Sequence, residues 1–147
     1  MLYERILLAY DGSKEGRVAL RQGAELAQLC QARVCLLAVV KFPTEATMAV
    51  GVVPEQYLEE EEQYYYKILQ GGLERLQGMG IAAQGKLVHG EPVEQIAIVA
   101  KSISADLVVV GHRNRTRLAR WWSGSVGISL IDAVDCSVLV ARASESV

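Results

Sequence analysis

The sequence predicts an α/β domain in which a parallel sheet carries helices on both faces. Two observations carry the prediction. Short runs that are apolar throughout, as strands covered on both sides must be, alternate about five times with stretches whose apolar residues recur at helical spacing. Strand–helix alternation of this kind builds parallel sheets. At 147 residues the chain suits one domain, 1–147, able to bury a core of its own.

Ile6 to Tyr10 is the first apolar run, and the turn signal Asp11-Gly12 closes it. Ser13 is placed to cap a helix whose inner face carries Ala19, Gly23, Leu26, Ala27 and Cys30. Val34 to Val40 is the second strand, and the stretch KFPTEATMAVGVVP after it has no period and reads as a long loop. From about Glu55 to Met79 the residues Leu58, Tyr65, Leu69, Gly72, Leu76 and Met79 line one helical face, with Glu59 to Glu62 near the N-terminal end where the helix dipole favours acid. Gly78 and Gly80 stop that helix, and Ile81 to Val88 reads as a weaker strand. Gly90-Glu91-Pro92 starts the next helix, with Val93, Ile96, Ala97 and Ala100 inward. Leu107 to Val110 is a further apolar strand, Ser125 to Val134 a short final helix with Val126, Leu130 and Val134 on one side, and Cys136 to Ala141 the fifth strand.

Composition narrows the function classes. A net charge of −2 gives no global attraction to nucleic acid. The first ten residues hold no apolar run of signal-peptide or membrane-span length, so a cytoplasmic protein without membrane insertion is expected. Cys30, Cys35 and Cys136 form neither a C-x-x-C pair nor a zinc spacing, and are expected as reduced, buried thiols.

In such sheets ligands bind beyond the carboxyl ends of the strands, where the strand order reverses. That directs attention to Tyr10–Ser13 after the first strand and to GHRNRTRLARWWSGS, Gly111 to Ser125, after the fourth. The latter packs four arginines, a histidine and two tryptophans into one loop. Gly111 removes a Cβ from the strand's end, and Gly124-Ser125 stands where the final helix begins, whose first amides and a hydroxyl suit phosphate. Arg113 and Arg115 would supply charge. The rival reading is structural: Gly111 ends a strand, Ser125 caps a helix and the arginines are solvated.

Other residues read more plainly. His112 has no identifiable Ser or Cys with an acidic partner and is assigned a loop or phosphate contact. His89 is a strand-end residue. Of Trp121 and Trp122, one is expected to plug the loop. Glu59 to Glu62 and Tyr64 to Tyr66 point around their helix, giving a solvated face with one buried tyrosine. Asp11, a carboxylate at a strand end beside a Gly turn, is either functional or a brace for the following helix.

Taken together, ILLAYDGSKEGRVAL, GEPVEQI, SADLVVVG and VVVGHRNRTRLARWWSGSVGISLIDAVDCSVLVAR resemble, in order, the segments of the universal stress proteins. The last resembles that family's pattern of a strand ending in Gly, then G-x-x-G-x9-G-[ST], at every fixed position but the second glycine. The resemblance implies a doubly wound domain of the adenine nucleotide alpha hydrolase type, sheet order 3-2-1-4-5. It implies ATP or another adenine nucleotide, with Mg where ATP binds, at the carboxyl ends of strands one and four. By position Asp11 would lie near the ribose or the metal, Ala9 and Val39 beside the adenine, and Gly111, Arg113, Gly124, Ser125 and Val126 around the ribose and phosphates. It also implies a homodimer through the last strand, Ser137 to Ala141, and a regulatory role with an unidentified protein partner. Asn114 stands where the motif has its second glycine; it tolerates a positive φ but carries a side chain into the phosphate space. Ser137 replaces the usual Pro after Cys. Two alternatives stay open: a universal stress protein that has lost nucleotide binding and works as an interaction module, and a slow ATP hydrolase.

Overall fold

The computed structural model describes residues 2–41, 55–112 and 130–142. The elements are β1 (Arg5–Ala9), α1 (Lys14–Cys30), β2 (Arg33–Val40), α2 (Glu55–Gly78), β3 (Gln84–His89), α3 (Pro92–Ser102), β4 (Leu107–Gly111), α4 (Leu130–Ala133) and β5 (Ser137–Ala141). All four strand pairings are parallel and the sheet order is β3-β2-β1-β4-β5. The expected fold and order are therefore those observed.

Strand periodicity divides the core into two layers. Ile6, Leu8, Val34, Leu36, Ala38, Leu107 and Val109 face α1 and α2, where they meet Ala19, Leu20, Ala24, Ala27, Leu69 and Leu76. Leu7, Ala9, Cys35, Leu37, Val39, Val108 and Val110 face the other way, against Val93, Ile96, Val99 and Ala100 of α3 and Leu130 of α4. Because both faces of β1, β2 and β4 are covered, their sequences show no polar alternation.

Glycine lets α1 lie close on the sheet. A Cβ on Gly23 would stand 2.4 Å from Leu8 Cδ2, so the glycine expected on the inner face is there to bring helix and strand together.

The structure departs from the sequence reading in several places. β1 ends at Ala9, although the Tyr10 amide still donates to Leu37 O at 2.8 Å. The third strand begins at Gln84 and not at Ile81, because residues 81–83 connect α2 to the sheet without a ladder partner among the described pairings. Leu58, expected inward, is 45% exposed. At about 1.5 Å per residue α2 outruns the strands it covers, so its first half projects past their carboxyl ends. Of the last helix, Leu130 to Ala133 is described; its expected start at Ser125 and Val126 lies outside the described residues.

The thiols are free, as expected, but Cys35 alone is buried; Cys30 and Cys136 are half-buried. Burial pushes the Cys35 thiol up from its ordinary value, with Lys86 opposing. Cys136 is also pushed up, by burial and by the Asp106 and Asp135 carboxylates.

Candidate functional site

β1 lies between β2 and β4, so the chain leaves it toward one side for β2 and reaches β4 on the other. The strand order reverses at the β1–β4 junction, and in sheets of this kind the ligand crevice lies outside the carboxyl ends of the strands at such a junction. The Tyr10–Ser13 turn forms one lip and Gly111–His112 the other.

The first lip is a closed hydrogen-bond unit. Asp11 Oδ1 accepts from the Ser13 amide at 3.0 Å and from the Ser13 hydroxyl. Ser13 Oγ in turn accepts from the Gly16 amide at 3.0 Å, capping α1 as its sequence position predicts. Gly12 makes the turn with φ +78°, a backbone region glycine enters without strain. Gly16 leaves the room: a Cβ there would stand 2.7 Å from Asp11 Oδ1. The unit fixes the Asp11 carboxylate at the mouth of the crevice, beside the first turn of α1, whose outward amides favour anionic groups. Asp11 thus braces the helix, one of its two expected roles.

The second lip meets the first. A Cβ on Gly111 would stand 2.5 Å from Glu15 O, 2.6 Å from Glu15 C and 2.9 Å from Gly16 N. On that side, what the missing side chain admits is the backbone of α1. Gly111 therefore lets the end of β4 touch the helix whose cap holds Asp11. The His112 amide donates to Ala141 O at 2.7 Å, tying this lip to β5.

Ala9 and Val39 both belong to the α3-facing layer and are 5% and 1% exposed. They share one face of the sheet, and their side chains are packed into the core. Arg113, Asn114, Arg115, Gly124, Ser125 and Val126 lie outside the described residues, as do Trp121 and Trp122.

At the outer end of the same sheet edge, His89 Nε2 lies 3.6 Å from Glu62 Oε1 of α2, both half-exposed. His89 is thus a strand-end residue, as expected, and Glu62 is more than a solvated charge. Tyr65 is the tyrosine of its trio that turns inward, although only half-buried. Gly90, with φ +145°, turns the chain from β3 into α3 while its amide donates to Val40 O at 2.9 Å.

Gly16 was not singled out by the sequence, and Glu91 was named only as part of the Gly90-Glu91-Pro92 helix start. Gly16 carried a signal, since a glycine three residues after a cap serine and five after the aspartate marks a tight strand–helix entry. Glu91 carried none: it takes the N-cap position of α3 without a side-chain capping bond, and its Oε1 is shielded from solvent with no hydrogen-bond partner. Among the described residues, no cluster of three or more His, Cys, Asp or Glu side chains is arranged to hold a metal, and no helix is long and apolar enough to cross a membrane.

Comparison with known proteins agrees with this architecture. A universal stress protein of Synechocystis is 30% identical over 97% of this chain and 99% of its own length. A crystal structure of a universal stress family protein from Burkholderia pseudomallei superposes with a TM-score of 0.73 at 28% identity, covering 97% of this chain and 98% of the other. A universal stress protein in complex with cAMP superposes at 0.71 with 23% identity, covering 98% and 100%. The model of the universal stress protein family matches residues 2–142. With the sheet order, the paired lips and this near-complete match in hand, the chain belongs to the universal stress protein family.

Proposed function

We propose that this chain binds an adenine nucleotide across the β1–β4 crevice and that the bound state is what a partner protein reads. The carrying observation is the junction of the two lips, where Gly111 rests on the turn of α1 that Asp11 and Ser13 cap. A ligand touching either lip therefore acts on both. The group this reading implies is ATP with Mg, and the residues present fit one end of it. Asp11 offers a fixed carboxylate for a ribose or a metal, while Ala9 and Val39, which this reading sets beside the base, are packed in the core. Gly111, Arg113, Gly124, Ser125 and Val126 would receive the ribose and phosphates, with Asn114 at the motif's second glycine position. The cAMP complex of a relative with the same fold is consistent with this ligand class.

β5 ends the sheet with one edge unpaired among the described strands, and Val138, Leu139 and Val140 are half-buried there. Such an edge invites pairing with another strand. We assign it to a homodimer through Ser137–Ala141, in a cytoplasmic protein that binds and signals without rapid turnover.

Calorimetric titration with ATP and magnesium tests the reading, with saturable heat expected. No heat and no thermal shift up to millimolar nucleotide would sink it. Asn114 gives the second reading, an interaction module that has lost nucleotide binding, its footing, since it puts a side chain at a position where the family's motif has glycine. Gly124→Asp separates the two: it abolishes nucleotide stabilisation under the first and leaves partner binding unchanged under the second. Hydrolysis would show as multiple-turnover phosphate release lost in Asp11→Ala.

A further inference from the structure

Two features of the α1–α2 face have no part in the crevice. The first is the projecting half of α2. None of residues 55–68 is buried, and Tyr57, Leu58, Tyr64 and Tyr66 are 45%, 45%, 59% and 49% exposed among Glu59, Glu60, Glu61 and Glu62. The second is a groove of about 520 Å³ between α1 and the end of α2, in which Lys14, Arg17, Arg21 and Arg75 surround Val18, Leu20 and Met79. Among the described residues the single ion pair these cations make is Arg21 with Glu25, at 3.9 Å on the surface. The acidic half is likewise short of cations, with Glu62 meeting His89.

The two features share one flank of α2. Tyr57, Tyr64, Gly71 and Gly78 follow one another at seven-residue steps, which drift only about 20° per step around a helix. Arg75 stands one turn beyond Gly71, and Glu60 and Glu61 one turn beyond Tyr57. Gly78 and Arg75 line the groove, so the same flank runs from acidic and aromatic to basic and small. At Gly71 no atom lies within 4 Å of where a Cβ would be.

We infer that α2 pairs antiparallel with α2 of a second copy of this chain, the acidic half of each helix lying against the basic groove of the other. A parallel pairing would set acid on acid. The antiparallel one, about a two-fold axis between Lys67 and Ile68, brings Tyr64 over the open Gly71 of the partner, Tyr57 over Gly78 and Glu60 opposite Arg75. Each contact occurs twice, as a closed two-fold interface requires. Because α2 packs on β2 and β3, this face is at the other end of the sheet from the β5 edge, and the inference stands whether or not nucleotide binds.

Sedimentation velocity at about 0.05 M and about 0.5 M salt tests it, since exposed charges act over a Debye length that shrinks with salt. Arg17→Glu with Arg75→Glu, and separately Glu59→Lys with Glu60→Lys, are each expected to lose one association step at low salt, about a two-fold fall in mass. Mixing the two variants restores it, because every reversed patch then meets its complement. Unchanged mass in either variant, or no recovery on mixing, overturns the inference. Should a double reversal fail to fold, Lys67→Cys replaces it. Mild oxidation is expected to give a covalent dimer beyond the wild-type level at low salt, and its absence overturns the inference equally.

Discussion

Gly111→Ala is the sharpest probe of the two-lip arrangement. The added methyl would stand 2.5 to 2.9 Å from Glu15 O, Glu15 C and Gly16 N. All three are backbone atoms, so no side chain can rotate away, and β4 or the first turn of α1 must move. Overpacking of a tight site costs about 1–3 kcal/mol, and displacing the turn that Ser13 caps adds part of a capping interaction, itself worth about 1 kcal/mol. A loss of about 2–3 kcal/mol is therefore expected, which for a chain near 150 residues lowers Tm by roughly 4–12 °C. Urea unfolding followed by circular dichroism reads it, with high salt present to hold association constant. Gly71→Ala is the control, because it meets no neighbour and replaces a mid-helix glycine, which stabilises by about 0.5–1 kcal/mol. If Gly111→Ala unfolds within about 0.5 kcal/mol of wild type, the close approach of β4 to α1 is wrong, and the coupling of the two lips with it.

Ser13→Ala removes the acceptor of the Gly16 amide and should destabilise by about 1 kcal/mol, measured in the same urea series. Asp11→Asn keeps an acceptor for the Ser13 amide while removing the charge; we expect near-wild-type stability and a loss of magnesium-dependent nucleotide heat in the calorimeter. Stability should also fall in alkali. Burial raises the folded-state values of Cys35 and Tyr10, the latter opposed by Arg75 and Arg17, above their ordinary 9.0 and 10.0. The folded state thus holds these protons when the unfolded chain has released them, so their contribution is complete below pH 9 and is lost as pH rises above it. Unfolding free energy measured from pH 8 to 11 should decline, and Cys35→Ala should flatten the first part of that decline.

The fold was legible because its signals are local and repeated. Runs such as Val34–Val40 and Leu107–Val110 are apolar without alternation only when helices cover both faces. Ser13 and Pro92 mark helix starts by their own backbone chemistry. What periodicity could not give was extent along the strand axis. Leu58 fits the inward face of α2 by spacing, yet the sheet beneath it has already ended. The lips were half legible in the same way. Asp11 and Gly111 could be named from their places after β1 and β4, but contact between Gly111 and Glu15 joins residues distant in sequence that no local pattern relates.

That contact changes what the glycine of the family's motif is for. By its place in the sequence, a glycine at the end of β4 makes room for a ligand. In the structure the Cβ direction of Gly111 is filled by the backbone of α1, so the residue is required even with no ligand present. A chain that had lost nucleotide binding would still need it. Its presence therefore does not separate the nucleotide-binding reading from the interaction-module reading; that separation falls to Asn114, Gly124 and Ser125, which the family's motif assigns to the phosphates and which lie outside the described residues. Substitutions there, read by nucleotide-dependent stabilisation, carry the decision. Substitutions at Gly111 report on the scaffold that any ligand of this crevice would have to use.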